Sequence, residues 1–181
     1  MTVFCGSAPG KDPQFQSFAR EVGSLLARLN LDLIYGGSKD GCMGAVADGC
    51  LSSGGRVIGI LPQFFMEWEI QHPNLSEIIF TENMASRKEL LIAKGDVVLV
   101  LPGGFGTLDE FFEVLTLSSL KRIEPKAAIL FDPLGFFDGL VNWLENIHLA
   151  GFTREPGQSY SVIRELSELE TFLSGPHSVC S

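Results

Sequence analysis

The residues best suited to chemistry stand together at Pro102-Gly103-Gly104-Phe105-Gly106-Thr107-Leu108-Asp109-Glu110, directly after the apolar run Val97-Val98-Leu99-Val100-Leu101. Three glycines allow a backbone to approach a ligand closely, and Thr107 adds a hydroxyl. The free N–H groups at a helix start, with the positive end of its dipole, favour an anion such as phosphate. Asp109 and Glu110 follow within one turn. A phosphate cradle beside a carboxylate suits chemistry on a phosphorylated small molecule. Two other apolar runs also end at glycines, in Gly6-Ser7-Ala8-Pro9-Gly10 and in Gly36-Gly37-Ser38. Arg87 and Lys88 add positive charge close to the central stretch in the chain. Each signal has a plainer alternative: glycine turns also serve only to reverse a chain, Arg87 reads equally as a solvated helix arginine, and Glu110 as a carboxylate favoured by a helix dipole.

These residues need a scaffold, and the chain supplies strand, glycine turn and helix in repetition. Thr2–Cys5 reads as a strand, and Phe15, Phe18, Val22, Leu25, Leu26 and Leu29 recur at helical spacing after Asp12 and Pro13. Leu31–Tyr35 is a second strand, Gly41–Leu51 a helix of small residues, and Arg56–Leu61 a third strand closed by Pro62. The segment 63–76 has aromatic residues without a period and reads as a loop or short helix that covers a pocket. Glu77–Thr81 is a strand, Met84–Lys94 a helix, Val97–Leu101 the strand before the central turn, and Leu108–Leu120 the helix after it. Ala127–Phe131 is a strand and Phe136–Leu149 an amphipathic helix, while Val162–Leu173 adds an edge strand and a short helix. The valine-rich run at 97–101 suits a strand buried on both faces. Repeated βαβ units build a parallel sheet with ligands at the carboxyl ends of its strands. The expected fold is therefore α/β and Rossmann-like: a central parallel sheet between two helix layers, with residues 1–181 as one domain.

Composition narrows the function. Of 181 residues, 45% are hydrophobic and 19% charged, enough to build one substantial core. Thirteen basic against 22 acidic residues give a net charge of −9, which opposes nucleic-acid polymers and anionic membrane surfaces. No apolar run approaches the ~20 residues of a membrane span, and the N-terminus lacks the pattern of a signal peptide. The expected location is the cytoplasm. Cysteines 5, 42, 50 and 180 have neither CxxC spacing nor a histidine cluster nearby, so free thiols and no metal site are expected. No glycine turn matches GxxxxGK[ST] or a clean GxGxxG followed by a ribose-binding acid. That disfavours a Walker-type nucleotide site and a redox dinucleotide enzyme.

The stretch Pro102–Glu110 resembles the PGGxGTxxE signature of the Lonely Guy family, whose members are often mislabelled as lysine decarboxylases, and Met84-Ala85-Ser86-Arg87-Lys88 resembles its companion MxxRK motif. The likeness extends, in family order, through Cys5-Gly6-Ser7, Tyr35-Gly36-Gly37-Ser38, Cys42-Met43-Gly44, Gly54-Gly55 and Val57-Ile58-Gly59-Ile60-Leu61-Pro62. It covers residues 2–152. It implies a Rossmann-like homodimer that needs no cofactor and cleaves cytokinin riboside 5′-monophosphates to free base and ribose 5-phosphate. Arg87 and Glu110 are then the catalytic residues. Arg87 would hold the phosphate or ribose, and Glu110 would stabilise charge on the sugar or orient the attacking water. Gly103, Gly104, Gly106 and Thr107 would bind the 5′-phosphate, Gly6, Ser7, Gly36 and Gly37 would line the same edge, and Met84 would contact the base. Lys88 joins the substrate-binding set through its motif, and Glu113 through its place one turn beyond Glu110, whereas Asp109 reads as a surface acid. Two departures bear on specificity. Ala85 stands where family members often carry His, and Thr116-Leu117-Ser118-Ser119-Leu120 stands where they carry TWxQL. Plain AMP thereby competes with a prenylated adenine nucleotide as substrate. The alternative is a non-catalytic protein of the same fold that holds a nucleotide or a molybdenum cofactor.

Overall fold

A computed structural model describes residues 1–68, 70–124, 126–153 and 160–175. Its centre is a seven-stranded, all-parallel sheet made of β1 (Thr2–Phe4), β2 (Leu33–Tyr35), β3 (Val57–Pro62), β4 (Glu77–Thr81), β5 (Val97–Val100), β6 (Ala127–Phe131) and β7 (Ser161–Ile163). The order is β4-β3-β2-β1-β5-β6-β7. The chain builds outward from β1 to β4, then returns to place β5 on the other side of β1. That reversal opens a crevice at the carboxyl ends of β1 and β5, the usual ligand position in such sheets.

Six α-helices cover the two faces: α1 (Gln14–Arg28), α2 (Gly41–Ser52), α3 (Met84–Lys94), α4 (Phe105–Ser119), α5 (Asp138–Leu149) and α6 (Leu166–Ser174). Side chains of a strand alternate between faces, so Val97 and Leu99 pack with α1, α2 and α6, while Val98 and Val100 pack with α3, α4 and α5. Both faces are therefore dry, which is why β5 carries no polar residue. The expected Rossmann-like three-layer arrangement is the one observed.

One boundary differs from the sequence reading in a way that matters. Helix α4 begins at Phe105, not Leu108, with Gly104 as its N-cap. Glycine is a poor helix former and masks the first turn. Glu110 therefore lies in the second turn, beyond the reach expected of a dipole-favoured carboxylate. Between β3 and β4, residues 63–68 form a 3-10 helix. The chain then crosses the β2 turn, with Lys39 N–H donating to the Ile70 carbonyl and His72 N–H to the Gly37 carbonyl, each at 2.9 Å. His72 fixes this strap by pairing Nε2 with Asp48 Oδ1 of α2 at 3.2 Å. Cys180 lies outside the described residues, and Cys5, Cys42 and Cys50 are free and buried.

Candidate active site

A cavity of about 720 Å³ opens at the carboxyl edge of the sheet, around the reversal between β1 and β5. Its floor is two glycine turns held back to back. Gly6 N–H donates to the Pro102 carbonyl at 3.1 Å, and a Cβ on Gly103 would come 2.7 Å from Gly6 N and 2.1 Å from Thr107 Oγ1. No side chain fits there. Gly104 and Gly106 face open space instead, so the start of α4 presents bare backbone to the cavity. Thr107 is buried and lines the same space, and among the described residues its hydroxyl makes no hydrogen bond. Free N–H groups, a helix N-terminus and an uncommitted hydroxyl together suit a phosphate.

One wall carries a buried ion pair. Asn83 caps α3, accepting from Ser86 N–H at 3.0 Å, while Ser86 Oγ accepts from Asn83 N–H at 3.3 Å. This closed first turn aims Arg87 into the sheet edge. Arg87 Nε donates to the Ile60 carbonyl of β3 at 3.0 Å, and Nη1 donates to Glu110 Oε1 at 2.6 Å. Arg87 is 5% exposed and Glu110 4%, so neither is a solvated surface charge. Gly36 makes room for the guanidinium: a Cβ there would stand 2.2 Å from Nη2. Burial pushes the Glu110 carboxyl above its ordinary value, and Arg87 pulls it part of the way back. Among the described residues Oε2 of Glu110 has no hydrogen-bond partner, although Glu110 lines the cavity. One carboxylate oxygen is thus held and the other is free to act. Cys5 also lines the cavity, but burial pushes its thiol well up, so it stays protonated and unreactive.

The cavity gathers Gly6, Ser7, Gly36, Met84, Arg87, Gly103, Gly104, Gly106, Thr107 and Glu110 from the expected set. Gly37, Lys88 and Glu113 are not among its lining residues. Gly37 has φ +79° and packs on Leu61, where a Cβ would fall 1.9 Å from Cδ1, so its glycine serves the strap. Lys88 Nζ instead bridges Asp109 Oδ2 at 2.9 Å and Glu113 Oε2 at 2.8 Å, tying α3 to α4. Hydrogen bonds to Glu113 and Asp109 hold its ammonium above the ordinary lysine value. Asp109 is on the surface and at the cavity rim at once. Neither Ala85 nor Leu117, the two departures from the family pattern, lines the cavity. Sequence reasoning missed Ser38, Asp40, Phe65, Ile70, Phe15 and Phe136 as lining residues. The aromatic residues of 63–76 were the only signal for this roof. Among the described residues no group of three or more His, Cys, Asp and Glu could hold a metal ion, and no helix is long and apolar enough to cross a membrane.

A parallel Rossmann-like sheet with a glycine-lined cavity at its reversal, walled by a buried carboxylate–guanidinium pair, places the chain among the Rossmann-like α/β proteins. Within that class the chain belongs to the family described as possible lysine decarboxylase, whose model matches residues 43–169 and which is the family of the Lonely Guy proteins. Several relatives carry the name cytokinin riboside 5′-monophosphate phosphoribohydrolase, two bacterial ones among them. The one from Rhodococcoides fascians is 37% identical over 164 residues, covering 90% of this chain and 82% of the relative. The one from Mycobacterium tuberculosis (strain ATCC 25618 / H37Rv) is 34% identical over 152 residues, covering 84% and 80%. Among solved structures, the molybdenum cofactor binding protein of Rippkaea orientalis superposes with a TM-score of 0.65 at 19% identity, covering 96% of this chain and 97% of that one. The molybdenum cofactor carrier protein of Chlamydomonas reinhardtii gives 0.66 at 18% identity, covering 94% and 93%. At such identities the likeness shows the fold alone.

Proposed function

We propose that this protein hydrolyses the N-glycosidic bond of a nucleoside 5′-monophosphate, releasing free base and ribose 5-phosphate. The observation that carries the reading is the buried Glu110, held through Oε1 by Arg87 with Oε2 free, in the same cavity as the open backbone at Gly104 and Gly106. The names of the relatives support the same reaction.

The chemistry follows from charge. As the C1′–N bond breaks, its electron pair leaves with the base and positive charge develops on the sugar. In this reading Glu110 stabilises that charge or orients the water whose oxygen bonds to C1′. The proton lost by that water balances the one gained by the departing base. Arg87 offsets part of the burial effect on Glu110 and retains Nη2 donors for the phosphate or ribose. Gly103, Gly104, Gly106 and Thr107 bind the 5′-phosphate with Gly6 and Ser7 opposite, and Met84 contacts the base. The reaction needs no cofactor. The protein acts as a single-domain cytoplasmic homodimer, an assembly implied by the family resemblance and open to light scattering. Its substrates are cytokinin riboside monophosphates or plain AMP.

Chromatography of base release tests the reading. AMP and isopentenyladenosine monophosphate are expected to yield free base, and the unphosphorylated ribosides to react poorly. Binding of monophosphates without any base release would instead make the protein a carrier.

A further inference from the structure

The cavity has lining residues that a nucleoside monophosphate bound as above leaves unused. Across the sheet edge, the phosphate cradle lies at β1 and β5, and Met84, Met43 and Ile70 lie on its β2–β4 side. On the opposite side, towards β6, Phe15 and Phe136 also line the cavity. Their rings meet edge to face, with centroids 5.6 Å apart, and Phe136 meets the buried Phe137 in the same way at 5.0 Å. The wall is built rather than incidental. Gly10, at φ +74°, lies where a Cβ would fall 2.7 Å from the Phe15 ring. The fully buried Asp132 at the end of β6 accepts from Phe136 N–H at 2.7 Å and from Phe137 N–H at 2.8 Å, fixing the turn that presents Phe136. Phe136 remains 46% exposed despite this support.

We propose that the Phe15–Phe136 wall is a second base subsite, and that the cavity binds a dinucleoside 5′,5′-diphosphate with one base at Met84, the diphosphate in the cradle and the other base stacked on Phe136. The assignment rests on the phosphate and base positions given under the proposed function. The buried Thr107 hydroxyl, which lacks a partner among the described residues, and the bare Gly104 and Gly106 leave the cradle with donors uncommitted for the second phosphate. Aromatic faces beside a phosphate site hold bases by stacking, with little regard to base identity.

Titration calorimetry on the full chain with AMP, ADP and diadenosine 5′,5′-diphosphate tests this, with turnover suppressed by Glu110→Gln where AMP is cleaved. The dinucleotide is expected to bind about tenfold more tightly than ADP, the size of one base–aromatic stack. Phe136→Ala and the bulk-preserving Phe136→Leu should both remove that gain and leave AMP within about twofold, while Met84→Ala weakens all three ligands alike. If the dinucleotide binds no better than ADP, the second subsite does not exist. If the Phe136 variants weaken AMP as much as the dinucleotide, the wall holds the nucleotide's own base and the proposal fails, whereas base release from AMP in the wild type would leave the proposed reaction standing. If AMP does not bind at all, the underlying reading falls and this one with it.

Discussion

Arg87 Nη1 and Glu110 Oε1 are 2.6 Å apart, and the pair is buried although 23 residues separate its members in the chain. The arginine commits Nε to the Ile60 carbonyl and Nη1 to Glu110, and leaves Nη2 beside Gly36 at the cavity. Glu110→Gln keeps the shape and hydrogen-bonding reach of the side chain but removes its charge. Base release from AMP is expected to fall by about 10²-fold or more. Ligand affinity should stay within a few-fold, so single-turnover rates and titration read together check the assignment.

Removing the other partner has a different signature. Arg87→Ala strands a buried carboxylate, and breaking such a pair costs about 3–5 kcal/mol. Urea denaturation should show Arg87→Ala markedly less stable than Glu110→Gln, and the double variant less destabilised than the sum of the two. Strict additivity would mean that the two side chains do not sense each other.

The pair also imprints a pH dependence. Burial raises the folded-state value of Glu110 above its ordinary 4.5, so between the two values the folded chain binds the extra proton. By linkage this group's contribution to stability is fully present below the unfolded value and is lost as pH rises through the folded one. Denaturant unfolding from pH 4 upward should show the wild type losing stability relative to Glu110→Gln. A flat difference would show that Arg87 cancels the burial cost entirely.

How much of this was legible beforehand depends on whether a feature is local. The boundaries of β4, α3 and β6 were read from the sequence because period and breaker residues lie within those segments. The start of α4 was not, because Gly104 and Gly106 are poor helix formers even though α4 opens on them. Arg87 and Glu110 were found through their motifs, yet spacing alone could not distinguish a buried pair from two surface charges. The strap over the β2 turn depends on backbone bonds from His72 N–H to the Gly37 carbonyl and from Lys39 N–H to the Ile70 carbonyl, and the sequence of 63–76 carries no period that would announce them. Lys88 and Glu113 share one turn-spaced pattern with the site residues, and only the packing of α3 on α4 shows them meeting each other outside the cavity.

That packing makes Lys88 a test of motif against geometry. Lys88→Ala breaks contacts to Asp109 and Glu113, carboxylates that are themselves at least partly exposed. Such pairs contribute about 0–1 kcal/mol. Glu113→Gln is expected to leave turnover within about threefold, since neither Glu113 nor Lys88 lines the cavity and the pair they form is a weak one. A loss comparable to that of Glu110→Gln would put Glu113 in the reaction.

The glycines of the cradle separate folding from binding. A methyl on Gly103 meets Thr107 Oγ1 at 2.1 Å and Gly6 N at 2.7 Å, so Gly103→Ala must push the two turns apart. Thermal unfolding should show it destabilised, with activity lost as a consequence. Gly104 and Gly106 have nothing within 4 Å of the added methyl, and Gly106 lies inside α4. Gly106→Ala is expected to fold at least as stably as the wild type, because alanine is the better helix former by about 0.8–1.0 kcal/mol. If a phosphate rests on the bare backbone, the same methyl takes its place, and AMP affinity should fall about tenfold or more while the fold is intact. Gly104→Ala should behave likewise in binding. Unchanged affinity in both variants would move the phosphate elsewhere in the cavity, and with it the alignment of the sugar on Glu110.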